Sequence, residues 1–219
     1  MPVRLVVFDL DGTLIDGYAA IEDALAHAMT RLGFVPPASP EVRRMVGHGL
    51  EVLLERAVGP ALAPEGVRLF RERYPEVAVA KSELLPGAAD VLATLHGRGL
   101  LLALASNKPR DFSRMIVEAK GVAGYFLAIE GPGPETPPKP HPAMLESAMR
   151  KAGVGPDATL AVGDMEVDSE FARAAGCRVV LIPSGSRTRA ELEEVPRDGI
   201  LEDLRELPDW IAGSDAASG

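Results

Sequence analysis

Residues 5–16, Leu5-Val6-Val7-Phe8-Asp9-Leu10-Asp11-Gly12-Thr13-Leu14-Ile15-Asp16, constrain this chain more than any other stretch. Leu5 to Phe8 is a short apolar run with two β-branched residues at its centre, which predicts a buried strand of a parallel sheet. Two carboxylates and a turn glycine follow at once. Side chains alternate along a strand, so a backbone that stays extended puts Asp9 and Asp11 on one side, with Leu10 opposite. Two acids at a strand end repel each other and resist desolvation unless a cation or a proton comes between them. The pair calls for a metal ion, a strongly raised pKa, or both. A turn aspartate closing a strand would explain one Asp and the Gly, but it explains the pair poorly.

After this stretch the pattern turns helical. Ile21, Leu25, Ala28, Met29 and Leu32 lie near one face of a helix over 18–32, stopped by Gly33 and Pro36-Pro37. Ser39 as cap and Pro40 at the first helical position open a second helix, interrupted at Gly47-His48-Gly49 and resumed over 50–58. A third is expected over 64–80, broken or bent at Pro75. From Leu84 strands and helices alternate: helix 88–98, strand 100–105, helix 109–120, strand 125–130, a Pro-rich loop 131–140, helix 141–152, strand 159–162, helix 167–175, strand 178–182 and a short strand at 200–201. Such alternation implies βαβ units and a parallel sheet covered on both faces. The expected fold class is α/β, with a core from residues 1–15 and 84–211, an all-helical block over 16–83, and a frayed tail of small and polar residues over 212–219.

Composition sets outer limits. At 219 residues and 47% hydrophobic, the chain can bury a sizeable core. A net charge of −9 without a Lys/Arg run makes it a poor nucleic-acid binder. Cys177 is the single cysteine, so no intrachain disulfide can form, which fits a reducing compartment. The N-terminus lacks a signal-peptide layout, and no stretch approaches the ~18 apolar residues of a membrane span. A cytoplasmic protein, monomeric or homodimeric, with no nucleic-acid or membrane partner, is expected.

Three further clusters stand just beyond expected strands. Ser106-Asn107-Lys108 offers a hydroxyl and amides before a helix N-terminus, a natural phosphate cradle; taken alone, Ser106 or Asn107 would read as a helix cap. Lys139-Pro140-His141-Pro142 ends the Pro-rich loop, and Lys139 by itself would pass for a solvated lysine. Gly163-Asp164-Met165-Glu166-Val167-Asp168 places two acids four apart on a loop entering a helix.

In order, these pieces resemble the motifs of the haloacid dehalogenase-like hydrolase superfamily: DxDGTL at 9–14, the Ser or Thr at 106, the lysine before a helix at 139, and GDxxxD at 163–168. Asn107-Lys108 is similar to the phosphoglycolate phosphatase-like subgroup. Departures are Gly17 where many relatives carry Ser, Ser106 where Thr is commoner, and Met165 where Ser or Thr is frequent; none removes a charge the chemistry needs. The resemblance implies a Rossmann-like core with an inserted helical cap over 16–83. It also implies a Mg²⁺-dependent phosphatase for a small phosphorylated metabolite. Asp9 would be the nucleophile, Asp11 the general acid and base, and Ser106, Asn107 and Lys139 the phosphate-binding groups. Asp9, the Asp11 backbone carbonyl and Asp164 would hold Mg²⁺, with Asp168 behind them orienting Lys139 or a metal-bound water. Asp11 argues against the dehalogenase branch, which lacks that acid. The segment 43–49 resembles the cap segment of phosphoglycolate phosphatases. Arg44 and His48 lie four apart, hence on one face if the helix continues, and are expected to contact an acidic substrate. A phosphosugar mutase of the β-phosphoglucomutase kind shares all four motifs, and a non-catalytic phosphate-binding protein of this fold is a third reading, which Asp11 disfavours.

Overall fold

The computed structural model describes residues 1–134 and 136–216. Its strands are β1 (Leu5–Phe8), β2 (Ile15–Asp16), β3 (Glu83–Leu84), β4 (Leu101–Ala105), β5 (Phe126–Glu130), β6 (Thr159–Gly163), β7 (Arg178–Leu181) and β8 (Gly199–Ile200). Its α-helices are α1 (Tyr18–Arg31), α2 (Ser39–Met45), α3 (Leu50–Val58), α4 (Ala63–Val77), α5 (Ala88–Gly97), α6 (Arg110–Ala119), α7 (Ala143–Ala152), α8 (Glu166–Ala174), α9 (Arg189–Glu193) and α10 (Leu207–Ala216).

Six strands form one sheet in the order β5-β4-β1-β6-β7-β8, every pair parallel. β1 is central because its four residues are apolar and buried on both sides. Alternation sorts its side chains: Val6 and Phe8 join the apolar layer that contains α5, α6 and α10, whereas Leu5 and Val7 join the layer with α7, α8 and α9. The connection from β1 runs toward β4 on one side, and the chain later returns to β6 on the other. The carboxyl end of β1 is therefore the point where strand order reverses, the usual place for a ligand in an open α/β sheet.

Helices α1 to α4 form a block of their own between β2 and β3. Leu25, Leu54 and Tyr74 are fully buried in it, each such side chain contributing about 1.5–3 kcal/mol by burial. Asp23 on α1 binds Arg73 on α4 and Lys81 beyond it, both at 2.7 Å. The chain enters and leaves the block through a two-residue antiparallel ribbon, Ile15 opposite Leu84 and Asp16 opposite Glu83. That short strand at the edge of the expected helical segment is too brief to show period-2 alternation.

Other differences are local. Ala38, not Ser39, caps α2, because the Ser39 hydroxyl donates to Glu22 at 2.6 Å instead. Pro75 sits in the last turn of α4, which runs on to Val77; the helix gives up the hydrogen bond its N–H would have made and ends two residues later. The tail expected to fray from residue 212 is helical to Ala216, and residues 217–219 lie outside the described residues. Among the described residues no helix is long and apolar enough to cross a membrane.

Candidate active site

The loop after β1 is built to deliver two carboxylates to one place. The Asp9 N–H still donates to the Val162 carbonyl at 2.9 Å, so Asp9 continues the sheet. The Leu10 carbonyl then accepts from Leu14 and Ile15 at 2.9 and 3.0 Å and folds the chain back. Gly12 turns the corner at φ +86°, where a Cβ would stand 2.5 Å from Asp164 Oδ2; only glycine meets both conditions. Leu10 is buried, while Asp9 and Asp11 both line one cavity of about 70 Å³ between the sheet and the helical block.

Different lysines serve the two acids. Lys139 Nζ donates to Asp9 Oδ1 at 2.8 Å and to Asp168 Oδ1 at 2.7 Å. Lys108 Nζ lies 2.9 Å from Asp11 Oδ2 and donates to the Tyr74 hydroxyl at 2.5 Å. Burial works against both ammoniums, but Asp168 and Asp9 raise Lys139, and Asp11 and Tyr74 raise Lys108, so both stay charged. Burial pushes the Asp11 carboxyl upward; Lys108 opposes this, and Asp9 and Asp16 add to it. Asp11 is thereby suited to carry and release a proton.

Asp9, Asp164 and Asp168 each offer a carboxylate oxygen within 4.8 Å of the others. Their occupancy differs. Asp168 Oδ1 takes Lys139, and its Oδ2 accepts from the backbone of Asp164 and Met165 at 3.2 and 3.1 Å. The Asp164 carboxylate interacts with the Thr13 hydroxyl, 3.4 Å from Oδ1, and with the Ser186 backbone, while its Oδ2 is buried and makes no hydrogen bond among the described residues. Burial, Asp168 and Asp9 push the Asp164 carboxyl up, against the Ser186 backbone and Lys139. A buried, orphaned carboxylate oxygen beside a second acid is what a hard divalent cation would satisfy. The residues present fit Mg²⁺ on Asp9 and Asp164, with Asp168 tied up behind them.

Ser106 lines the cavity at the end of β4, its Oγ accepting from the Lys108 N–H at 3.3 Å. The Asn107 side chain works otherwise than as a phosphate ligand. Its Nδ2 donates to the carbonyls of Gly47 and Lys139 at 2.9 and 3.2 Å, and its Oδ1 accepts from the Lys139 N–H at 2.7 Å. Both amide hydrogens are engaged, so Asn107 ties Lys139 and the helical block in place.

Arg44 and His48 do not share a helical face. α2 ends at Met45, and Val46 is extended at φ −72°, ψ 154° because Gly47 and Gly49 interrupt the helix. Arg44 is exposed and interacts with Glu191; His48 interacts with Glu166, and its Nδ1 is buried without a partner among the described residues. Neither lines the cavity.

Three contributors went unassigned in the sequence. Lys108 directly follows Ser106-Asn107, and its place after a strand was the available signal. Tyr74 arrives from α4, stacked on Phe70 at 5.1 Å and tilted against Phe112 at 4.7 Å; nothing local marks it. The loop after β7 closes over the acids: the Ser184 hydroxyl donates to the Gly12 carbonyl at 2.6 Å, and Gly185 packs directly on Asp164.

Residues 6–182 match the family described as Haloacid dehalogenase-like hydrolase. A phosphoglycolate phosphatase of Cereibacter sphaeroides is 36% identical over 213 residues, spanning 94% of this chain and 96% of that protein. One from Vibrio parahaemolyticus is 32% identical over 222 residues, spanning 97% of each. The solved structure of a predicted phosphoglycolate phosphatase from Haemophilus somnus 129pt superposes with a TM-score of 0.88 at 28% identity, covering 94% of this chain and 97% of that one.

Proposed function

This chain belongs to the haloacid dehalogenase-like hydrolases, and from that premise we propose that it hydrolyses small acidic phosphate monoesters of the phosphoglycolate type through an aspartyl-phosphate on Asp9. One observation carries the reading: Asp9 and Asp11 open on the same cavity, each beside its own buried lysine, with Ser106 also lining it. A non-catalytic phosphate binder has no use for Asp11.

Asp9 attacks phosphorus as an ionised carboxylate and needs no activating base. Asp11 gives its proton to the departing alkoxide oxygen. It then takes a proton from the water that attacks the acyl phosphate, releasing inorganic phosphate and restoring Asp9. Lys139, the Ser106 hydroxyl and the Asn107 backbone N–H meet the phosphoryl oxygens as charge spreads over them. Mg²⁺, held by Asp9, Asp164 and the Asp11 carbonyl, would supply further charge neutralisation. The block over 16–83 acts as a cap that keeps bulk water out during turnover.

The lining argues for a small substrate over a phosphosugar. The cavity's cap-side wall is Ile21, Val46, Leu50, Leu53 and Phe70 with the backbone at Gly47 and Gly49 and the single hydroxyl of Tyr74, which offers sugar hydroxyls few partners. Phosphate release from a panel of phosphate monoesters with Mg²⁺ tests the reading. Inorganic phosphate from phosphoglycolate is the expected product, and isomerised sugar phosphate without phosphate release would replace the phosphatase by the mutase.

A further inference from the structure

A substrate with two anionic groups needs a second cation, and the cavity holds an unassigned one. Lys139 is set between two carboxylates on the phosphate side. Lys108 faces one carboxylate and a neutral phenol, in a cavity whose lining includes Phe70, Phe112 and Leu53. An ammonium has three donors; Asp11 and Tyr74 take two of those on Lys108, and one remains. A buried cation with a single counter-charge in apolar surroundings binds an anion far more strongly than an exposed arginine does.

We propose that Lys108, with Tyr74, forms the subsite for the substrate's second anion, a carboxylate one or two carbons from the phosphate ester. This rests on the phosphatase reading above. Tyr74 accepts from Lys108, and Ser82 also lies beside its hydroxyl, so the phenol reaches the same carboxylate by turning its hydrogen from Ser82 to the substrate. The two residues come from different parts of the chain: Lys108 from the loop after β4, Tyr74 from α4. The subsite is complete only when the helical block sits over the sheet, so an acidic substrate itself draws the two together. The confined cavity sets the spacer length. Arg44 and His48, outside the cavity, have no part in this contact.

Kinetics on 2-phosphoglycolate and its neutral counterpart 2-hydroxyethyl phosphate read the subsite as a ratio of kcat/KM values. Lys108→Met should lower that ratio about ten- to a hundredfold, whatever it does to both rates through Asp11. Tyr74→Phe, which keeps the ring against Phe70 and Phe112, should lower it by about two- to tenfold and decides the matter if Lys108→Met fails to fold. Arg44→Ala should leave the ratio unchanged. Equal slowing of both substrates in Lys108→Met and Tyr74→Phe would overturn the subsite and leave Lys108 as a residue that only orients Asp11. Calorimetry separates this from the activity itself. Wild type should bind 3-phosphonopropionate, which cannot be hydrolysed, at least tenfold more tightly than propylphosphonate, and Lys108→Met should abolish the difference. Equal affinity of the two phosphonates for wild type would also overturn the proposal. If wild type hydrolyses neither ester, the phosphatase reading falls while the phosphonate comparison still decides the subsite.

Discussion

Asp168 receives the Lys139 ammonium at 2.7 Å, and both side chains are buried. That ammonium also reaches Asp9 at 2.8 Å, so Asp168 determines where Lys139 stands without touching the reacting atoms. Asp168→Asn keeps the shape and removes the charge. Groups that orient a reacting shell typically cost about ten- to a hundredfold when lost. We expect kcat to fall by that factor and the fold to survive, since Asp9 still pairs the lysine. Steady-state kinetics at saturating Mg²⁺ check this, and near wild-type turnover would show that Lys139 needs no second carboxylate.

The helical block should loosen in acid before the sheet does. Arg73 and Lys81 hold the Asp23 carboxyl down, to about 2. A depressed folded pKa means stability that is present above the unfolded value of about 3.9 and lost as pH falls through the folded one. The window is therefore about pH 4 to 2. The pair is partly exposed, which limits its worth to about 1 kcal/mol. Urea unfolding of wild type and Asp23→Asn should differ near neutrality and converge through that window; a pH-independent difference would assign Asp23 to packing.

Much of this was legible because parallel strands are buried on both faces and read as unbroken apolar runs. Leu5 to Phe8, Leu101 to Ala105 and Thr159 to Gly163 each end in a motif, so strand and chemistry announce each other. What stayed hidden is tertiary or short. The contact that brings Tyr74 to Lys108 joins residues 34 apart in the chain, which no local pattern encodes. Arg44 and His48 were paired by a helix that Gly47 ends. Asn107 looked like a phosphate ligand, but its amide serves two backbone carbonyls. Five-residue α9 is too short for periodicity, although Thr188 and Glu191 form a capping box that the sequence spells out.

Cys177 should be inert in the native protein. It lies 2% exposed, and burial, with Asp157 adding to it, pushes its thiol up to about 12. At pH 8 only about one molecule in ten thousand carries the reactive thiolate. Ellman's reagent should label no thiol in the native chain and one after denaturation. Rapid labelling of the native chain would mean that the segment between α8 and β7 opens readily.

Gly185 and Gly12 enclose Asp164 from two sides. A Cβ at 185 would overlap Asp164 Oδ2, and it would come within 3.0 Å of the Gly12 Cα, so the loop cannot simply step aside. That oxygen is the orphaned one, and a cation bound there would stabilise the fold by about 2.7 kcal/mol at a hundredfold excess over Kd. For a chain of this size that corresponds to a rise in Tm of about 5–10 °C. Wild type should show this rise on adding Mg²⁺ and lose it on adding EDTA. Asp164→Asn should not lower the Tm measured without metal, because it removes a buried charge that Asp168 and Asp9 disfavour, yet its Mg²⁺ response should vanish. Gly185→Ala retains every ligand and should still lose most of the response, because the added methyl displaces Asp164. A full Mg²⁺ shift in Gly185→Ala would show that the loop after β7 relaxes at no cost to the cation. A full shift in Asp164→Asn would remove Asp164 from the ligand set.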